Sequence, residues 1–148
     1  MATFTLVRRT TAPPETVFEV YTDHRSFPDY TPLRRVELER EGDPPPNGVG
    51  AIRVLHGIGP AVREEVVTYE PPRSFSYRML SGAPLEDHVG TVTIEPAEVE
   101  GRQGSRVAWA VDTTPTVPIG KGIVLAVAKR VVAGLVDGGI KEAERRSG

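Results

Sequence analysis

Two charged residues set eleven positions apart, Arg53 and Glu64, are the first candidates for chemistry in this chain. Gly57-Ile58-Gly59-Pro60 lies midway between them and reads as a hairpin turn joining two strands. Centring that hairpin puts Arg53 opposite Glu64, with Ala51 opposite Val66 and Leu55 opposite Val62. The shared face is apolar except for this opposite-charge pair. Turned into a hollow, it is a half-buried ion pair with a spare donor for a polar ligand group, and each charge needs the other. Turned outward, it is a cross-strand surface pair worth under about 1 kcal/mol.

A second hairpin, around Ser81-Gly82-Ala83-Pro84, sets Met79 opposite His88, Tyr77 opposite Gly90 and Phe75 opposite Val92. A glycine facing a tyrosine lets the ring lie across the sheet. Val92 and Ile94 then face Trp109 and Val107 on the last strand. Phe75, Tyr77, Met79, Val92, Trp109 and Val111 form one inward band, either as core or as the wall of a hollow. Tyr77 and Trp109 each add one polar handle to an apolar body. His88, on the same face near the entrance end, is the best proton-transfer candidate because its ordinary pKa lies near neutrality. Tyr77 and Arg53 are the other residues able to polarise a carbonyl or move a proton, so the catalytic candidates are His88, Tyr77 and Arg53. His24 and His56 read as solvated turn residues.

Several chemistries are excluded. The chain of 148 residues has no cysteine, so it has no disulfide, thiolate nucleophile or zinc–thiolate site. Its histidines lack metal-ligand spacing, so no metal and no cofactor is expected. Glu64 and Glu65 point to opposite faces of a strand and cannot act as a dyad. No G-x-S-x-G elbow occurs, and the glycines at 48, 50, 57 and 59 join strands instead of opening a helix over a phosphate. A net charge of −2 with dispersed basic residues argues against nucleic acid.

These side chains need a frame. The reading is strand Thr3–Thr10, a helix entered through Pro13 or Pro14 and running to about Tyr21, a helical turn Phe27–Tyr30, then six strands and one long helix. The strands are Leu33–Glu41, Val49–His56, Ala61–Tyr69, Phe75–Leu80, Asp87–Glu95 and Ser105–Thr113, with Pro96–Gly104 as a loop. The long helix takes the stretch from Pro118 to Arg146, about 42 Å from Ile119 onward at 1.5 Å per residue. Ile123, Val127, Val131, Gly134, Leu135 and Gly138 recur at spacings of three and four, which defines its inward face. The glycines there leave room for a ligand or for close approach of the sheet, unless they mark bending before the charged tail. Val117 to Val136 matches the roughly 20 residues of a membrane span, but Lys121, Lys129 and Arg130 would each cost roughly 2.5–3.5 kcal/mol in one. The fold class is therefore α+β: a curved seven-stranded antiparallel sheet wrapped around a long C-terminal helix, with two short helices between strands 1 and 2.

The order of motifs resembles the START-like superfamily, which includes polyketide cyclase/dehydrase-like and lipid-transport proteins (SRPBCC) and the helix-grip fold of the major pollen allergens. The residues carrying the likeness are Ala12-Pro13-Pro14-Glu15-x-Val17-Phe18, Asp23, Gly48-Val49-Gly50-x-x-Arg53 and Glu64-x-Val66 ahead of Pro71-Pro72. Phe75-x-Tyr77, Gly90-x-Val92 and Gly104-Ser105-x-Val107-x-Trp109 follow. The resemblance spans nearly the whole chain, read as one domain over residues 1–148, and favours Arg and Glu at positions 53 and 64 in a cavity.

It implies binding or transport of a small hydrophobic or aromatic molecule, such as a lipid, polyketide or quinone, between sheet and helix. The ligand-binding candidates are Arg53, Glu64, Phe75, Tyr77, Met79, His88, Val92, Trp109 and Val111 on the sheet, and Ile123, Val127 and Val131 on the helix. A polyketide aromatase/cyclase or dehydratase, and a co-chaperone-like interaction module, are the alternatives. The expected setting is cytoplasmic, with no integral membrane association, as a monomer or as a homodimer formed through the Thr3–Thr10 edge.

Overall fold

The computed structural model describes residues 1–57 and 59–148; Ile58, at the tip of the first hairpin read above, lies outside the described residues. The chain runs β1 (Ala2–Thr10), α1 (Pro14–Thr22), a 3-10 turn (His24–Ser26), α2 (Phe27–Tyr30), β2 (Arg35–Arg40), β3 (Ile52–His56), β4 (Val62–Glu70), β5 (Ser74–Ser81), β6 (Leu85–Val99), β7 (Arg102–Pro115) and α3 (Lys121–Ser147). The strands form one antiparallel sheet in the order β1-β7-β6-β5-β4-β3-β2. The α+β helix-grip arrangement read from the sequence is the one observed.

The expected registers hold where a turn fixes them. Arg53 pairs with Glu64 and Leu55 with Val62. Val66 donates its backbone N–H to the Ala51 carbonyl at 2.9 Å. Tyr77 pairs with Gly90, Phe75 with Val92, Val92 with Trp109 and Ile94 with Val107. The Tyr77 ring lies directly over Gly90, where any added Cβ would collide with it. Strand alternation sends Glu65 to the convex face, where Arg40 and Arg78 bind it at 2.7 and 2.6 Å.

Several boundaries differ, three of them for a reason the structure shows. The expected loop Pro96–Gly104 is strand almost throughout: β6 and β7 remain paired to Val99↔Arg102. A two-residue turn closes them, with Glu100 and Gly101 both at positive φ (51° and 75°), the geometry that matches strand twist. Pro96 is tolerated because β5 pairs with β6 only as far as Thr93, so no neighbour waits for the missing N–H. Secondly, β3 starts at Ile52, not Val49, because Gly42–Ala51 folds back on itself through an Asp43–Val49 bridge. Lastly, α3 starts at Lys121 after Gly120, which is left-handed at φ 81°, so Ile119 lies outside the helix.

The larger difference is the face that α3 presents. Its packed residues are Val132, Val136, Gly139, Ile140 and Ala143. Ile123, Val127 and Val131 are 72%, 57% and 59% exposed. Apolar residues surround the N-terminal half of the helix on all sides, so a stripe at spacings of three and four could be drawn more than one way. The packing partners decide the outcome. The helix lies against α1, β1, α2 and β7, over one half of the sheet. Its C-terminal half closes a core with Val17, Val20 and Tyr21 of α1 and Phe75, Trp109 and Val111 of the sheet. Glycines allow that closeness: a Cβ on Gly139 would enter the Tyr21 ring, and one on Gly138 would meet the Tyr30 carbonyl. It is therefore the short helices, not the sheet, that approach here.

Glu142 fastens the far end of α3. It accepts from Arg145 Nε and Arg146 Nε at 2.8 Å each, and Arg146 reaches Ser26 Oγ at 3.1 Å and Asp29 at 3.5 Å. These hydrogen bonds hold its carboxyl down at a pKa of about 2.

Candidate functional site

Because α3 covers only half of the sheet, a groove remains between its N-terminal half and strands β3–β6. Two cavities, of about 360 and 430 Å³, occupy it. The first lies between Tyr77, Met79, Ala83–Leu85 and His88 on the sheet side and Ile123, Val127 and Leu135 on the helix. The second lies between Thr31–Leu33 and Leu55 on one side and Arg130, Val131 and Gly134 on the other. Val62, Glu64, Val131 and Leu135 border both. Gly134 has nothing within 4 Å of where a Cβ would stand, so this glycine does leave open space.

Glu64 also borders a third, smaller hollow of about 40 Å³, room for a water or two, lined in part by Arg53, Tyr77 and Trp109. The Arg53–Glu64 pair thus faces inward, where the two groove cavities meet the core. Their closest atoms, Arg53 Nη2 and Glu64 Oε1, are 3.4 Å apart, and the side chains are 2% and 16% exposed. Arg53 Nε has no hydrogen-bond partner. The guanidinium carbon sits 5.0 Å from the Phe27 ring centre, so the aromatic face supplies part of what water would. Burial pushes the Glu64 carboxyl above its ordinary value, and the Arg53 charge only partly offsets this. An acid of this kind can donate as well as accept a hydrogen bond.

Tyr77 extends the polar line. Its hydroxyl accepts from Trp109 Nε1 at 3.1 Å, and burial, followed by the nearby Glu64, raises its pKa. His88 is buried rather than at the rim: Nδ1 lies 2.9 Å from Thr113 Oγ1, and desolvation lowers its pKa. Met79 and His88 both border the first cavity, although the paired ladder ends one step earlier, at Arg78↔Val89. His24 Nδ1 is 2.8 Å from Asn47 Oδ1, whereas His56 Nε2 lies 2.8 Å from Glu37 Oε1 without the alignment of a hydrogen bond.

The structure therefore gathers Glu64, Tyr77, Met79, His88, Ile123, Val127 and Val131 around one groove, with Arg53 behind Glu64. Arg53, Phe75 and Trp109 reach only the small hollow, and Val92 and Val111 lie fully buried in the core. Alternation along strands put all of these on one face but could not say which part the helix would cover. Sequence reasoning missed Thr31–Leu33 and Ala83–Leu85, which form opposite rims. Their signal is the apolar residues Pro32, Leu33, Ala83, Pro84 and Leu85 at and beside the turns.

A curved sheet gripping a helix, with a habitable groove between them, defines a helix-grip protein. The chain belongs to the family described as polyketide cyclase / dehydrase and lipid transport, whose model matches residues 1–148. Solved structures agree on the fold. The Zhui aromatase/cyclase from Streptomyces sp. R1128 is similar at TM-score 0.81 and 18% identity, over 99% of this chain and 96% of that one. A START superfamily protein from Mycobacterium smegmatis is similar at 0.80 and 13%, over 97% of each chain. Ara h 8.0201 is similar at 0.77 and 16%, over 96% and 97%. No curated protein matches the sequence. No helix among the described residues is long and apolar enough to cross a membrane.

Proposed function

We propose that this protein binds a small, largely apolar molecule in the groove between α3 and strands β3–β6, with a polar atom of that molecule at Arg53 and Glu64. The observation that carries the reading is the junction at Glu64. Two apolar-walled cavities share the Glu64 side chain, and its partner Arg53 lines the small hollow behind it and keeps an unpartnered Nε. An orphaned buried donor costs free energy that a ligand acceptor would recover. Apolar burial supplies affinity at roughly 25 cal/mol per Å², and the ion pair supplies orientation. Family membership and the groove together favour a lipid, polyketide or quinone-like ligand.

The test is native mass spectrometry of freshly purified protein for a co-purifying ligand, followed by titration of Trp109 emission with fatty acids, quinones and aromatic polyketides. Trp109 reports on the groove through its hydrogen bond to Tyr77. Saturable change for at least one class, weakened in Tyr77→Ala, is the expected outcome. No response to any of them sinks the reading.

A second reading, polyketide cyclisation or dehydration, draws support from the same junction. A carboxyl held toward its protonated form beside a guanidinium can donate a proton while the cation polarises a carbonyl. Turnover of a poly-β-ketone by the wild type and its loss in Glu64→Gln would select this reading over simple carriage.

A further inference from the structure

The mouth of the groove has a surface chemistry that ligand binding does not require. From Ile119 to Val131 the exposed residues are Ile119, Gly120, Lys121, Gly122, Ile123, Ala126, Val127, Lys129, Arg130 and Val131. Four of them are large and apolar, with Ile119 88% exposed although it lines neither cavity. The charged ones are all cations. No Asp or Glu occurs between Asp112 and Asp137. Across the groove the rim is Leu33, Ala83, Pro84 and Leu85, and exposed Arg34 follows Leu33. The exposed acids nearest along that arm, Glu86 and Asp87, come after Leu85, where β6 pairs with Thr114 of β7.

We infer that this mouth is a docking surface for an anionic lipid bilayer, with the start of α3 lying in the membrane interface and the groove opening toward it. A contiguous exposed apolar stripe marks an interaction site. An apolar helix flank bordered only by cations is the pattern of a helix that rests in the headgroup region. Each lysine or arginine near such a surface adds attraction equivalent to about five-fold in partitioning. A second copy of the chain fits poorly, because a two-fold contact through this face would bring Lys121, Lys129 and Arg130 against their own images. The inference goes beyond the binding reading and stands whichever ligand the groove takes.

The experiment is co-sedimentation of the full chain with vesicles of phosphatidylcholine alone and of phosphatidylcholine mixed with phosphatidylglycerol. The chain should partition to the mixed vesicles, weakly to the neutral ones, and release as salt is raised. Lys121→Ser/Lys129→Ser, which touches neither cavity, should lower partitioning about 25-fold, with Trp109 emission and far-UV circular dichroism unchanged. Ile119→Asp should weaken it as well, without loss of fold. Absence of vesicle binding, or equal binding to both vesicle types with the double variant unaffected, overturns the inference. So does a stable dimer that Ile119→Asp dissociates while vesicles go unbound, which would make the face a self-contact. Salt-sensitive binding to polyglutamate but not to vesicles would reassign it to an acidic protein partner and equally overturn the lipid reading. Failure of the ligand titrations with vesicle docking intact would leave this inference standing and remove the groove reading alone.

Discussion

Arg53 and Glu64 face one another across β3 and β4 at 3.4 Å, inside the molecule, with the buried guanidinium Nε unpartnered. Glu64 sits above its ordinary carboxylate value in the folded state, so the fold favours its protonated form. The stability this gives is complete below the unfolded pKa, 4.5, and is lost as pH rises through the folded one. Glu64→Gln should remove that dependence. Chemical denaturation of the two proteins from pH 4 upward, roughly bracketing the unfolded carboxylate value, should show the wild type losing ground to the variant as pH climbs. In Arg53→Met, which removes the charge holding the carboxyl down, Glu64 should titrate higher still in carbon-detected NMR.

Tyr77 gives Trp109 its hydrogen-bond acceptor. Tyr77→Phe leaves the indole N–H buried without a partner, at a cost of about 1–3 kcal/mol. The denaturation midpoint should fall and Trp109 emission should shift, with cavity shape preserved. An unchanged midpoint would mean the indole finds another acceptor.

The glycines of α3 separate cleanly by surroundings. Gly134 faces open space, so Gly134→Ala should stabilise by about 1 kcal/mol through helix propensity alone. Gly139→Ala drives a methyl into the Tyr21 ring and should destabilise by about 1–3 kcal/mol. Thermal melts of the two variants should move in opposite directions.

Glu142 is held at a pKa of about 2, below its unfolded 4.5, by Arg145 and Arg146. Here the sign is opposite to that of Glu64: the contribution is present above 4.5 and disappears as pH falls toward 2. Glu142→Gln should cost about 1–3 kcal/mol at neutral pH and nothing at the acid end. It should also loosen α2, which Arg146 ties down through Ser26 and Asp29, and this is readable as faster amide exchange in Phe27–Tyr30.

The sequence made legible what short-range chemistry decides. Turn residues set the β3–β4 and β5–β6 registers, and Gly90 opposite Tyr77 was readable because only hydrogen leaves space for the ring. The β6–β7 turn was not readable, since Glu100-Gly101 lacks the usual asparagine or aspartate and Pro96 looked like a strand breaker. What makes Pro96 acceptable is how far β5 extends, a property of another segment. The rotation of α3 was hidden for the same reason. Val124, Val127, Val131, Val132 and Val136 offer several apolar faces, and the choice among them is made by Tyr21 and Tyr30 pressing on Gly139 and Gly138. The site inherits that gap: Arg53 and Glu64 could be paired from the chain, but Val92 and Val111 could not be told apart from groove residues until the helix was laid down.

The half-covered sheet divides labour along a single helix. Residues from Val132 onward anchor the molecule, while those before it border empty space and bear almost none of the folding load. Under the binding role proposed above, substitutions at Ile123, Val127 or Met79 would reshape the groove without endangering the scaffold.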